Sequence, residues 1–504
     1  IPASFQSSSA DGVITLVLKG VYGCDLVAEV TQPVPGPMTY KEVKFHEEAP
    51  RVSIGKKQAT VLAFDIITEG NENPLELKSI KVKGLDNAFS NLKVIVGKKD
   101  AVAFDPTSGE VPATLLNIGT TPIIIKGDVD PSVAKNAEKT LSIESITLGT
   151  GEKKLEPAKS CKLTLVPEAV MEAPSSIYIV DQPLTFYDDG GANGNISNNF
   201  QGKTIFIPAD PSKKVVIEFT NLQLFDTSSV GKNDILKVYS GSDLATASLM
   251  QTFLKELGTV YSTAEDGSLL VTLKSITPYT KAGFAATVKA EVPQPMAFKE
   301  VAVAPKKLDR PLSAISKNVE VATLDITTQY SAAPLELSSF SFKLEGPISE
   351  VAIYNAAGTK ELGRATGLDN ASTAEIKLAT PFALGQNKNT FLIQVSINDK
   401  CESGATYKLS LVEVKSAKGE QKSPAESTEI TGKIENTVVA TIGSQNVTLY
   451  SPWQFVHEKG RYSDNYTTDA GQRIITFTAP NEGDVVTLNF ASFELNFPSY
   501  GNTP

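Results

Sequence analysis

An internal repeat runs through the 504-residue chain and constrains its fold more than any other feature. Pro-Leu-Glu-Leu at 74–77 recurs at 334–337, and Lys-Glu-Val at 41–43 recurs at 299–301. Asp-Gly at 11–12 recurs at 266–267, and Gly-Asn-Ile-Ser-Asn-Asn-Phe at 194–200 matches Gly-Arg-Tyr-Ser-Asp-Asn-Tyr at 460–466. Because these matches keep their order, they predict a repeat of about 260 residues built from several domains.

The repeated segments have the pattern of β-strands. Residues 75–83 and 338–344 largely alternate apolar and polar side chains, which is typical of a strand with one buried face. Short apolar runs at 215–219 and 235–239 are bounded by turn residues. No long stretch has the helical period with caps, so the sequence predicts an all-β protein of tandem antiparallel β-sandwich or jelly-roll modules in an elongated array.

Two module types alternate in this interpretation. We expect one β-sandwich at 36–172 and its second copy at 295–433, with a different, complete β module at 173–294. The C-terminal half of that second module recurs at 1–35, and its N-terminal half recurs at 434–504. Prolines at 33–37 and 293–295 mark short, semi-rigid joints.

Both ends of the sequence then fall inside a module. One expectation is that the chain is a segment of a longer repeat protein. The alternative is that the tail of one molecule completes the head of the next, which would give a head-to-tail assembly of neighbouring copies.

Composition excludes several classes of function. With 47 Lys and Arg against 57 Asp and Glu, the net charge of -10 argues against a nucleic-acid partner. No apolar run reaches the ~18 residues that span a bilayer, so no membrane span is predicted. His46 and His457 lie far apart in sequence, which argues against histidine-based zinc sites and Ser-His-Asp hydrolysis. The odd set Cys24, Cys161 and Cys401 predicts buried free thiols.

The module at 173–294 resembles a CUB-like domain of the cysteine-free kind found in secreted bacterial surface proteins. The segments that carry this resemblance are Phe-Tyr-Asp-Asp-Gly-Gly at 186–191, Ser-Asn-Asn at 197–199, Phe-Ile-Pro-Ala-Asp-Pro at 206–211, Phe-Thr-Asn-Leu-Gln-Leu at 219–224, Asn-Asp-Ile-Leu-Lys-Val-Tyr-Ser-Gly at 233–241 and Gly-Phe at 283–284. The resemblance implies a compact antiparallel jelly roll for protein or glycan recognition.

The modules at 36–172 and 295–433 resemble the N-terminal β-sandwich domain that accompanies bacterial repeat-type neuraminidases. The second copy carries Asn-Val-Glu-Val at 318–321, Leu-Asp-Ile at 324–326, Pro-Leu-Glu-Leu at 334–337, Leu-Gly-Gln-Asn at 384–387, Thr-Phe-Leu-Ile-Gln-Val at 390–395 and Gly-Ala at 404–405. The catalytic propeller of those enzymes has repeated Ser-x-Asp-x-Gly-x-Thr-Trp turns. This chain has one tryptophan, Trp453, and no such series, so we expect no enzyme and assign no catalytic residue.

Two candidate sites remain in the 173–294 module. The glycine-rich segment 190–195 lacks a following Lys-Ser/Thr, so it predicts a turn and not a phosphate loop. With Tyr187, Asp188 and Asn198 it forms the expected exposed binding loop. The CUB resemblance also implies a calcium site. Here Phe225 stands where that family has a Glu, which leaves Asp226 and Asp234 as candidate ligands or as solvated loop acids, and no other cofactor is expected.

These observations favour a non-catalytic secreted or cell-surface repeat protein that acts as an adhesin, filament or stalk. Its expected partners are proteins or glycans at the cell surface. The alternative is a non-catalytic accessory region of a large secreted hydrolase, such as a sialidase or a protease. A propeller or protease domain in the same gene would distinguish the second hypothesis from the first.

Overall fold

The computed structural model describes residues 36–227, 232–253, 256–276, 281–439, 443–448, 453–456, 473–481 and 483–489. Within these ranges every regular element is a β-strand, as predicted. The chain divides into two compact units, Ile1–Pro293 and Gln294–Pro504. The predicted half module at 1–35 lies outside the described residues, as does Cys24.

The first sandwich of the first unit has two five-stranded sheets, ordered β1-β3-β8-β5-β6 and β2-β10-β9-β4-β7. Its strands are β1 Thr39–Phe45, β2 Arg51–Ser53, β3 Ala59–Glu69, β4 Glu76–Lys83, β5 Phe89–Val96, β6 Val102–Ala103, β7 Glu110–Leu115, β8 Thr120–Val129, β9 Ala137–Leu148 and β10 Gly151–Val166.

The predicted alternation explains which faces of this sandwich are buried. In β4, Leu77, Ile80 and Val82 enter the core, while Lys78 and Lys81 face solvent. Each strand therefore stabilises the sandwich through one apolar face, at roughly 25 cal/mol for each Å² of apolar surface removed from water.

The second module of this unit is a jelly roll with sheets ordered β11-β13-β22-β15-β20 and β12-β14-β21-β18-β19, and β16 pairs with β17. Its strands are β11 Glu168–Val170, β12 Ser176–Val180, β13 Leu184–Tyr187, β14 Gln201–Pro208, β15 Lys214–Gln223, β16 Asp226–Thr227, β17 Lys232–Asn233, β18 Ile235–Ser240, β19 Ser248–Phe253, β20 Thr259–Tyr261, β21 Leu269–Lys274 and β22 Gly283–Glu291.

Aromatic side chains fill the space between these two sheets. Phe186 meets Phe206 and Phe284 edge-to-face, with ring centroids 4.8 and 5.0 Å apart. Tyr178 is fully buried beside them, and its hydroxyl donates to the Val170 carbonyl at 3.0 Å. The buried side chains of both modules belong to one continuous hydrophobic cluster.

A backbone joint connects the sandwich to the jelly roll. The loop after β2 lies along the free edge of β12, where the Ile179 amide donates to the Gly55 carbonyl at 2.7 Å and the Lys57 amide donates to the Ile177 carbonyl at 2.9 Å. Lys56 also forms an ion pair with Glu172. Because the loop covers a sheet edge, it removes an exposed row of unpaired peptide groups.

The second unit contains another sandwich, with sheets ordered β23-β24-β29-β26-β27 and β28-β25-β30-β31, and β32 pairs with β30. Four further strands form two parallel pairs, β33 with β35 and β34 with β36. The strands are β23 Ala297–Pro305, β24 Val319–Gln329, β25 Glu336–Glu345, β26 Ile348–Asn355, β27 Glu361–Thr366, β28 Thr373–Ala383, β29 Asn387–Ile397, β30 Thr406–Ser416, β31 Gln421–Lys422, β32 Glu429–Lys433, β33 Thr437–Val439, β34 Gly443–Thr448, β35 Gln454–Val456 and β36 Arg473–Thr478.

The two units share a strand order, so the sequence repeat is also a repeat of the fold. The sheet β23-β24-β29-β26-β27 reproduces the connectivity of β1-β3-β8-β5-β6. The parallel pairs β33–β35 and β34–β36 likewise reproduce β11–β13 and β12–β14. The exact module boundaries stay predictions.

Candidate functional site

The candidate site is one end of the jelly roll, where the described parts of three loops meet. Loop 188–200 leaves β13 and enters β14, residues 224–227 and 232–234 lie between β15 and β18, and residues 275–276 and 281–282 lie next to β21 and β22. Since β22 pairs antiparallel with both β13 and β15, the end of β13 and the end of β15 both lie beside the start of β22. The predicted residues Tyr187, Asp188, Asn198 and Asp234 all lie in or next to these loops.

Asp188 is a buried anchor of this end. Its Oδ1 accepts the Gly190 amide at 2.9 Å and its Oδ2 accepts the Phe284 amide at 2.8 Å. Gly283, with φ of +76°, leaves the room that the carboxylate needs, because a Cβ there would overlap it. The expectation that Asp188 is exposed is therefore wrong: its side chain is fully buried, and its carboxylate fixes the loop to β22.

The electrostatics of Asp188 follow from this burial. Removal from water raises the pKa of its carboxyl, and the neighbouring Asp189 charge acts in the same direction, while the amides of Phe284 and Gly190 oppose the shift. Both carboxylate oxygens accept backbone amides, so the role of Asp188 is to hold the loop in place and not to contact a ligand.

The glycine-rich segment is a tight turn, as predicted. The Gly194 amide donates to the Gly190 carbonyl at 3.0 Å, and a Cβ on either glycine would overlap the backbone of the other side of the turn. Asp189 accepts the Ser197 amide at 3.2 Å and so ties the two sides together. No helix follows the turn, which agrees with the absence of a phosphate-loop pattern.

Asp234 has the same structural role in the second loop. Its side chain is buried, Oδ2 accepts the Phe225 amide at 2.8 Å, and Oδ1 accepts the Ile276 amide at 3.1 Å. The backbone of Asp226 pairs with Asn233, but its side chain lies outside the described part. The calcium site at Asp226 and Asp234 stays a prediction. Among the described residues no group of three or more His, Cys, Asp or Glu is arranged to hold a metal ion.

A buried serine joins the first loop to the third. Ser275 Oγ donates to the Ser197 carbonyl at 2.7 Å and accepts the Phe200 amide at 2.8 Å. The Ile196 amide donates to the Lys281 carbonyl at 2.9 Å. Sequence reasoning missed Ser275, because its partners lie more than 70 positions away in the chain.

The surface of this braced end is rich in carboxamides. Tyr187 is half-buried at the end of β13, and Asn198 is exposed as expected. Asn193, Asn195 and Asn199 are exposed in the same loop, and Asn199 has a left-handed backbone with φ of +54°. Each carboxamide offers both donors and an acceptor, which suits hydroxyl-rich or peptide ligands.

The described cysteines are shielded from solvent. Cys161 and Cys401 are both buried, and burial raises the pKa of both thiols, that of Cys401 to about 11. A thiol with a raised pKa is a poor nucleophile at neutral pH. In the portion that the structure covers, no helix has the length and apolarity needed to cross a bilayer.

Comparisons with solved structures give distant likenesses. No family model matches the chain, and no curated protein matches it. Solved structures similar to it include the full extracellular region of zebrafish Gpr126/Adgrg6, with 12% identity, a TM-score of 0.19, and coverage of 51% of this chain and 33% of that one. The chain thus spans about a third of that extracellular region.

Two further likenesses are to the CUB1-EGF-CUB2 domains of rat MASP-1 and of human MASP-1/3. Both are 12% identical to this chain; the rat structure has a TM-score of 0.18 with coverage of 44% of this chain and 95% of its own. The human structure has a TM-score of 0.19 with coverage of 43% and 94%. Scores this low do not establish a shared fold, so the all-β architecture rests on the strand pairings described above.

Proposed function

We propose that the chain is a non-catalytic, extracellular or cell-surface repeat protein that presents the loop end of its jelly roll to a protein or glycan ligand. The observation that carries this proposal is the group of exposed asparagines in loop 188–200, held by the buried carboxylate of Asp188. Roles as an adhesin, a filament or a stalk are specific forms of the same proposal.

The physical support is preorganisation. Asp188 bonds loop 188–200 to β22, and Asp234 and Ser275 bond the described parts of the three loops to one another, so a ligand does not have to order those parts. Carboxamides on a fixed frame then offer a defined set of donors and acceptors, and half-buried Tyr187 offers an aromatic face beside them.

Binding of the full chain to a glycan array and to extracellular-matrix proteins tests this proposal. We expect Asn198→Ala and Tyr187→Ala each to weaken binding of the captured ligand by roughly tenfold, the loss of about 1.4 kcal/mol of contact energy. Asn87→Ala is the matched control, because Asn87 is exposed in the first sandwich. A ligand whose affinity is unchanged by both loop variants, or is lost with Asn87→Ala, would contradict the proposal.

A further inference from the structure

The outer face of the jelly-roll sheet β12-β14-β21-β18-β19 is unusually apolar. The outward side of a strand in an antiparallel sandwich normally carries polar residues. Here the strand registers place five apolar or aromatic side chains in a single row across all five strands, namely Ile177, Ile205, Leu270, Tyr239 and Leu249. The next row adds Ile179 and Ile207. We call these seven residues the apolar stripe.

The stripe has a buried centre and an exposed edge. Leu270 points away from the core yet is fully buried, and Ile205 and Tyr239 are its neighbours on the two adjacent strands. Leu249, on the edge strand, exposes 51% of its surface. Contiguous apolar patches of this kind mark interaction surfaces on soluble proteins.

The charges beside the stripe are segregated. Lys203, Lys237 and Lys274 project from the same face in the two rows nearer the loop end. Within the part of the chain that the structure describes, none of the three has an ion-pair partner. Beyond the opposite side of the stripe, the loops flanking β18 and β21 carry Asp243 and exposed Glu265. The face therefore runs from basic through apolar to acidic along the strands.

The opposite sheet of the same module shows no such pattern. Its corresponding outward row consists of Thr185, Thr287, Glu218 and Thr259. One of its lysines is neutralised locally, since Nζ of Lys289 lies 2.8 Å from a carboxylate oxygen of Glu291. The apolar stripe is thus a property of one face only.

We propose that this face binds the same face of a second copy of the chain, around a twofold axis that runs along the stripe, perpendicular to the strands. A twofold rotation places stripe on stripe and brings the lysine rows of one copy opposite the acidic loops of the other. A face that is basic at one side and acidic at the other is complementary to itself in this arrangement, which is the argument for a second copy over another partner.

The area of this face indicates how strongly two copies are expected to associate. Five strands about 4.8 Å apart and four rows about 7 Å apart make a patch of roughly 20 by 20 Å. That is smaller than the ~800 Å² that each partner contributes to a standard interface. The dimer is therefore weak, and it forms in a concentration-dependent way.

Sedimentation equilibrium of the full chain over a wide concentration range tests the proposal. The unmodified chain is expected to show a monomer–dimer equilibrium, and Leu249→Glu is expected to weaken it by at least about tenfold. Leu249 is exposed at a sheet edge, so this variant keeps its fold, which thermal unfolding verifies.

A charge swap identifies the orientation of the two copies. Lys237→Glu and Glu265→Lys should each weaken the dimer, and the double variant should recover it, because each reversed charge again faces its opposite across the twofold axis. Glu218→Lys on the opposite sheet is the control and should leave the equilibrium unchanged. A chain that stays monomeric throughout, or association that Leu249→Glu leaves intact, overturns the proposal. Failure of the double variant to recover the dimer overturns the twofold arrangement.

Discussion

The same loop occurs in both sandwiches, and the two copies are used differently. Residues 53–58 follow β2 in the first unit, and residues 313–318 hold the equivalent place in the second. Val52 pairs in parallel with Leu165, as Leu312 does with Ile434. Gln58 and Asn318, which end the two loops, have left-handed backbones with φ of +50° and +52°.

The difference lies in the middle of the loop. Gly55 has φ of +71°, and a Cβ there would overlap the Ile179 carbonyl oxygen on the edge of β12. The equivalent Ile315 exposes 37% of its surface and has no positive φ. A β-branched residue is strongly disfavoured at positive φ, so the second loop takes another path.

The backbone amide at the end of each loop also donates to a different side-chain group. The Gln58 amide donates to the Asp128 carboxylate at 2.8 Å, whereas the Asn318 amide donates to the Ser396 hydroxyl at 3.2 Å. Among the described residues, backbone hydrogen bonds to a strand of another module occur at the first loop and not at the second. A glycine and a carboxylate distinguish the first copy.

The largest expected effect on stability comes from placing a side chain at Gly55, where the loop approaches β12. Gly55→Val adds side-chain atoms where β12 approaches and forces a β-branched residue to positive φ. We expect it to lower the free energy of unfolding of the first unit by more than about 3 kcal/mol, measured by urea denaturation.

Gly191→Ala is the matched control for this variant. Gly191 has φ of +66° but open space around its Cβ position. Its cost is backbone strain alone, about 1–2 kcal/mol. If Gly55→Val cost no more than this control, the close approach to Ile179 would be unimportant to stability.

The second-largest expected effect is a pH dependence of the stability that Asp128 gives to the first loop. Burial opposes ionisation of Asp128, but hydrogen bonds from Asn91, from Gln58 and from Lys57 outweigh it and lower the pKa to about 2. Because the folded pKa lies below the ordinary value of 3.8, the stabilisation is complete above that pH and is lost as the pH falls towards 2. It amounts to about 2 kcal/mol at neutral pH.

Asp128→Ser tests this by giving the first loop the group found in the second. We expect it to destabilise the first unit at neutral pH and to lose that effect at acidic pH, measured by denaturation along a pH series. A difference between the two proteins that stays constant with pH would show that the charge of Asp128 does not hold the loop.

The smallest effect on stability is expected at Ile315, the residue of the second loop that is equivalent to Gly55. Ile315→Gly removes a partly exposed side chain and adds backbone entropy to the unfolded chain, so it should cost less than about 1 kcal/mol. Denaturation of the second unit measures it. A loss comparable to that of Gly55→Val would mean that the second loop is also docked through this position.

The strands were predictable because their signal is local. The alternation of Leu77, Ile80 and Val82 with lysines appears in the sequence and is reproduced in β4. The Asp-Gly turn was equally local: Asp266 accepts the Ser268 amide at 3.0 Å, and Gly267 has φ of +70°.

The candidate site was less predictable, because it depends on distant partners. Asp188 reads as a loop acid beside glycines, yet the amide of Phe284, 96 positions away, holds its carboxylate. The joint likewise pairs Gly55 with Ile179, which no periodicity indicates. Non-local hydrogen bonds of this kind decide whether a polar side chain faces a ligand or supports the loop that does.

Hydrogen exchange at the joint tests the central claim most directly, namely that the first sandwich extends a sheet of the jelly roll through its backbone. In the intact chain the amides of Ile179 and Lys57 should be protected as strongly as amides in the middle of β14, because each donates across the joint. Exchange of both amides as fast as the amides of the exposed turn residues Ala356 and Ala357 would contradict the account.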